Sequence, residues 1–212
     1  MTSADEVDRF YQERVPAHFA RCLEAQEAVA AEDAEAARIL DEMRAVRTSL
    51  IVRVEPGSSD SRRDYCFEIE RGRMRLVDEP MRAPFLILDH ALADFAALRR
   101  ECGDSILGFL GALAGLGEEM KLTAQRVRSL RELAGSLVFE LTGPTGFSLV
   151  AHFGVENPGD EARAHIRLDE ETFSRLRSGA LDPQDAFLEG LVEVEGDIDM
   201  AIHLALASAS PD

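Results

Sequence analysis

The spacing of apolar residues changes along the chain, and that change limits the possible folds more than any other feature. Over residues 3–47 Phe19, Leu23, Val29, Ala36, Ile39, Leu40, Met43 and Val46 recur at three- and four-residue steps, with acidic residues between them. This is the period of a helix with one buried face. Pro16 belongs in a first helical turn, so the spacing predicts a short helix before it and a long one after it. At Ser49 the period becomes two. SLIVRVEPG (49–57), YCFEIERGRMRLV (65–77, with Glu-Arg-Gly-Arg as the hairpin turn) and APFLILD (83–89) read as strands. Three helical stretches follow, HALADFAALRREC, the very apolar GDSILGFLGALAGLG and EEMKLTAQRVRSLRELA (118–134); the last carries Met120, Val127, Leu130 and Leu133 as one stripe.

The series then recurs. GSLVFELTG, GFSLVAHFG and ARAHIRLD are strands, and EETFSRLRSG is a helix ended by Gly179. DPQDAFLEG is a helix with Asp182 as its cap and Pro183 first, LVEVEG a strand, and DIDMAIHLALAS a final helix. Leu88-Asp89 matches Leu168-Asp169, Phe95 matches Phe173, Gly111 and Gly117 match Gly190 and Gly196, and SLIVRV matches SLVFEL. The order of elements supports two tandem copies more strongly than these few residues do; the alternative is two unrelated α+β segments. The expected organisation is a helical N-terminal segment (1–47), a degenerate first copy (48–117) and a second copy (118–208), in an α+β fold whose sheet is covered by helices.

Composition excludes several partners. The chain has 212 residues and a net charge of −17, split as −7 on residues 1–117 and −10 on residues 118–212. Nucleic-acid binding needs clustered cations, and so does docking on anionic membranes. Lys121 is the only lysine, so any lysine chemistry depends on that one residue. Cys22, Cys66 and Cys102 are an odd, scattered set, which argues against disulfides and structural zinc and fits a reducing compartment. The N-terminus is acidic rather than apolar, and Ile106–Leu116 is too short to span a bilayer, so a cytoplasmic location without stable membrane insertion is expected.

No nucleophile elbow, P-loop, dinucleotide fingerprint or zinc-protease motif occurs, so no catalytic residues, cofactor or metal are expected. His152 and His165 fall on neighbouring strands and are predicted on the solvent face. Glu193, Glu195, Asp197 and Asp199 straddle a strand and a helix start, as a solvated face with a helix cap would.

From Gly135 to Ala207 the chain resembles the sterol carrier protein 2 family, the nonspecific lipid-transfer domain, with residues 118–134 as its opening helix. The residues that carry this are Asp169, Phe173, Leu176, Gly179, Asp182-Pro183, Ala186-Phe187, Gly190, Gly196 and Leu204. The first copy departs from the pattern: it lacks the Asp-Pro and has Gly108, beside Phe109, where Phe187 stands. The resemblance implies an apolar tunnel for sterols, acyl chains or phospholipids. Alternation and helical spacing give the candidate lining as Leu137, Phe139, Leu141, Leu149, Phe153, Ile166, Phe173, Leu176, Phe187, Leu188, Ile198 and Ile202.

The resulting expectation is a non-catalytic binder or carrier of a hydrophobic lipid: a sterol, hopanoid, fatty chain or isoprenoid, quinone-like molecule. The net charge disfavours phosphorylated head groups unless Arg163, Arg167, Arg175 and Arg177 gather near the tunnel's edge. The alternative is an accessory scaffold for a lipid- or quinone-biosynthetic enzyme, its tunnel filled by side chains. The Ile106–Leu116 helix is expected to cap the tunnel, fill it, or lie between the copies.

Overall fold

The structure is a computed structural model that describes residues 4–56, 61–114, 120–159 and 161–209. The helical first segment is α1 (Ala4–Arg9), one π-helical turn (Phe10–Arg14), α2 (Val15–Ala30) and α3 (Ala34–Ala45). Pro16 does not interrupt it: the wide turn before α2 leaves Pro16 in that helix's first turn, where its missing N–H costs no bond. The long helix expected after Pro16 is broken at 31–33. Asp33 turns to extended backbone there and its carboxylate accepts from the Glu35 and Ala36 N–H groups, which starts α3.

The strands are β1 (Arg47–Glu55), β2 (Arg63–Glu70), β3 (Arg73–Val77), β4 (Pro84–Ala91), β5 (Gly135–Thr142), β6 (Phe147–Phe153), β7 (Ala164–Asp169) and β8 (Val192–Gly196). They form one sheet in the order β3-β2-β1-β4-β6-β5-β7-β8. The β2–β3 turn uses Arg71 and Gly72, both at positive φ, as a two-residue hairpin requires. Strand β1 is antiparallel to β2 and parallel to β4; β5 is antiparallel to β6 and parallel to β7. The same three-strand pairing thus occurs twice, and antiparallel β4 and β6 join the two sets. The glycine correspondence does not follow it: Gly111 lies inside a helix, Gly190 sits at a turn with φ +72°, and Gly117 lies outside the described residues.

Register carries one apolar face across the join. Val54, His90, Leu149, Phe139, Ile166 and Val194 form a row over six adjacent strands. His90, the polar member, is satisfied: its Nδ1–H donates to the Ala91 carbonyl at 2.9 Å, and its Nε2 accepts from the Tyr11 hydroxyl at 2.7 Å. Burial holds the imidazole below its usual pKa and pushes the Tyr11 phenol up.

The remaining helices are α4 (Phe95–Cys102), α5 (Gly108–Leu113), α6 (Ala124–Glu132), α7 (Glu170–Arg177), α8 (Pro183–Leu188) and α9 (Ile198–Ala209). Helix α5 is the described part of the apolar stretch, and it packs against α7 and α9. It fills space over the sheet: Phe109, 1% exposed, lies 5.8 Å from the Phe139 ring, which also meets Phe147 and Phe173. Met120, Val127, Leu130 and Leu133 are all buried.

On the opposite face His152 corrects the sequence reading. It is buried, because Asp89 of β4 and Ser136 of β5 flank it on the two neighbouring strands. Its Nε2–H donates to Asp89 Oδ2 at 3.1 Å, and its Nδ1 accepts from Ser136 Oγ at 2.6 Å. Ser136 is the second residue of β5, and the chain of three residues ties the adjacent strands β4, β6 and β5 together. Burial pushes the Cys66 thiol up and that of Cys102 up to about 12.

Two outcomes follow from this packing. Phe109→Ala should lower the free energy of unfolding by about 3–5 kcal/mol in urea titration, since a buried aromatic ring is lost. Glu68, only 3% exposed, is pushed upward by its burial. Hydrogen bonds from Ser49, the Met81 N–H and Arg82 outweigh that effect and leave its pKa below the usual carboxylate range. A depressed folded-state pKa gives stability that is present above the unfolded value and lost as pH falls through the folded one. Glu68→Gln should therefore cost about 1–3 kcal/mol at pH 7, and the deficit should shrink as the medium is acidified below the ordinary glutamate range.

Candidate functional site

A groove of about 630 Å³ opens between α8, α9 and the outer strands β7 and β8. The floor is Ile166, Val192 and Val194, on the helix-covered face of the sheet, with Leu176 of α7 and Leu113 of α5 closing the inner end. Asp182 accepts from the Gln184 and Asp185 N–H groups and Pro183 stands in the first turn, which fixes the start of α8. That helix buries Ala186 instead of Phe187 and turns Phe187 into the groove, 43% exposed. Gly179 ends α7 at φ +70°. Gly196, at φ +85°, brings β8 into a turn so close to β7 that a Cβ there would lie 2.4 Å from the Arg163 carbonyl oxygen.

Helix α9 has two apolar sides. Met200, Leu204 and Ala207 are buried in the core. Ile198, Ile202 and Leu206, spaced by one turn, are 47%, 46% and 61% exposed and line the groove. The last turn of α9 is fastened from below. Arg126 of α6 is 3% exposed, and its guanidinium donates to the carbonyls of Ala207 at 3.3 Å and Ser208 at 3.2 Å, and to that of Lys121. A cation there also suits the negative end of the helix.

Of the sequence-derived lining residues, Ile166, Leu176, Phe187, Leu188, Ile198 and Ile202 meet at this groove. Leu137, Phe139, Leu141, Leu149, Phe153 and Phe173 lie on the expected face but are packed in the core, each no more than 2% exposed. Alternation located the face, whereas α5, arriving from the first half, decides which part of that face stays open. Pro183, Gln184, Ala201 and Leu206 also line it and were not foreseen, while Leu113 and Ala114 come from the Ile106–Leu116 stretch that was expected to cap or fill the tunnel. For Ala201 and Leu206 the signal was present, since they share the helical spacing of Ile198 and Ile202.

The four arginines do not gather at the groove: none of them lines it, and Arg167 alternates with Ile166 onto the opposite face of the sheet. Arg163 binds Asp197, and Arg167 donates to Glu140 at 2.9 Å and approaches Glu193 and Glu195 at 3.5 and 3.7 Å. Arg177 approaches Glu101 at 3.4 Å, and of the four arginines only Arg175 makes no ion pair among the described residues. Asp197 also accepts from the Met200 N–H at 2.9 Å; that bond, followed by Arg163, holds its carboxyl below the usual range. No group of three or more His, Cys, Asp or Glu side chains among the described residues is placed to hold a metal ion.

A helix-covered sheet with an open apolar groove and few polar anchors is the form of a site for a hydrophobic small molecule. Residues 118–207 match the SCP-2 sterol transfer family. The chain is also similar to sterol carrier protein 2 from Yarrowia lipolytica, solved in its apo form. The two are 21% identical over 37% of this chain and 75% of that one, with a TM-score of 0.30. No match was found among curated proteins. No helix among the described residues is long and apolar enough to cross a membrane.

Arg126→Gln should free the end of α9 and lower stability by about 1.5–3 kcal/mol, the worth of hydrogen bonds to a charged group. Hydrogen exchange should rise in the last two turns of α9 before it rises in the sheet.

Proposed function

We propose that the chain binds, and passes on, a neutral or weakly polar lipid in the groove between α8, α9 and β8. The class is sterol, hopanoid, isoprenoid quinone-like molecule or fatty chain, and the role is that of a carrier and not of an enzyme. One observation carries the reading. Of the eight large apolar side chains exposed among the described residues, five gather at this groove: Phe187, Leu188, Ile198, Ile202 and Leu206. A soluble fold leaves such a patch uncovered where something is meant to cover it. The similarity of residues 118–207 to the SCP-2 sterol transfer family supports the same reading. None of the four arginines lines the groove and three of them are paired, so little charge is offered to a phosphorylated head group, which favours the neutral end of the class. The ligand contacts proposed are Ile166, Leu176, Phe187, Leu188, Ile198 and Ile202. The shared strand pairing supports reading residues 48–117 as a degenerate copy of 118–208, and a cytoplasmic carrier suits the reduced cysteines.

Native mass spectrometry of freshly purified protein, followed by solvent extraction, tests this. The wild-type chain should retain one neutral lipid. A chain carrying Phe187→Asp and Ile202→Asp should lose it with unchanged far-UV circular dichroism, because both side chains are already half exposed. Retention of the same lipid by that variant, or none in the wild type, would overturn the proposal; the second result would favour an accessory scaffold.

A further inference from the structure

A second cavity lies in the other half of the molecule, away from the groove. It has a volume of about 290 Å³, opens to solvent on one side and is bordered by α2, α3, the inner face of β1–β3 and the connections at 104–107 and 120–122. Phe19, Val29, Met43, Leu50, Ile69 and Met74 give it an apolar wall. Only residues 120–122 of its lining fall within the stretch similar to the SCP-2 family.

The polar residues on this wall are His18, Cys22, Gln26, Asp104, Ser105 and Lys121, with His18 already in contact with Arg21 and Cys22. Gln26 is 4% exposed; its Nε2–H donates to the Ala36 carbonyl at 2.8 Å, and its side-chain oxygen has no hydrogen-bond partner among the described residues. Asp104 is the one carboxylate of the lining, and it is already met by Arg14 at 2.8 Å and Arg21 at 3.7 Å. Lys121, the chain's only lysine, stands at the cavity and makes no ion pair among the described residues. In a chain of net charge −17, the charge left over at this cavity among the described residues is positive. Its volume is less than half that of the groove, which suits a single unbranched chain and not a fused-ring body.

We propose that this cavity is a separate ligand site for a medium-chain fatty carboxylate, with the chain against Leu50, Ile69 and Met74 and the carboxylate at Lys121. The two sites then differ in charge preference: the groove takes neutral lipids and the cavity an anionic amphiphile. The proposal does not depend on the groove reading.

Calorimetric titration of the full chain with decanoate and with decan-1-ol tests it. The wild type should bind one decanoate, more tightly than decanol. Lys121→Gln should weaken decanoate about fivefold, the scale of a partly exposed ion pair, and leave decanol unchanged. Cys22→Phe, which places a ring in the cavity, should remove both, while Ile202→Asp in the groove should affect neither. Equal affinity for decanoate in the wild type and Lys121→Gln would overturn the proposal, and so would loss of decanoate in Ile202→Asp with retention in Cys22→Phe. If Cys22→Phe fails to fold, the decanoate-to-decanol ratio in Lys121→Gln decides alone.

Discussion

The antiparallel pairing of β4 with β6 is the constraint on which the rest of the molecule depends. Each set of strands would otherwise end in an edge of unpaired N–H and C=O groups, which invites wrong association. Pairing the two edges removes both and makes one apolar face out of two. The Asp89–His152–Ser136 tie crosses the same join on the opposite face, so the join is held by side chains as well as by the ladder. With the sheet continuous, a helix that follows β4 in the chain can cover strands that come after it. Helix α5 does this, and its Phe109 ends up against Phe139 of β5.

That placement governs where a ligand has room. The middle of the sheet is closed by aromatic packing, and the outer end, over β7 and β8, is covered only by two short walls. The groove is thus the remainder left when a six-residue helix covers part of a longer face. Its floor is rigid sheet, while its walls are α8, set by Asp182 and Pro183, and α9, set by Asp197 at one end and Arg126 at the other.

Much of the fold was legible because local signals agree with each other. The strands alternate, Gly179 and Asp182-Pro183 punctuate the helices, and Arg71-Gly72 makes its hairpin turn. The break at 31–33 was not legible, since it contains neither glycine nor proline and rests on Asp33 alone, one acidic residue among many. The burial of His152 was hidden for a different reason. Its partners lie 63 and 16 residues away, and periodicity within a strand says nothing about which strands flank it. The division of the twelve lining candidates has the same origin. A face can be read from a sequence locally, but the element that packs on the face comes from far along the chain.

Arg126 has a consequence for the order in which the molecule assembles. Its guanidinium waits for carbonyls 81 and 82 residues further on, and the loop so closed is among the longest in the second half. During synthesis the floor of the groove is complete once β8 has formed, yet two of the acceptors of the buried Arg126 are absent until the end of α9 is made. Until then the β7–β8 floor is bare apolar surface. Helix α9 therefore covers part of that floor and leaves the rest as the groove, and a chain in which it has not docked exposes more apolar surface to aggregation.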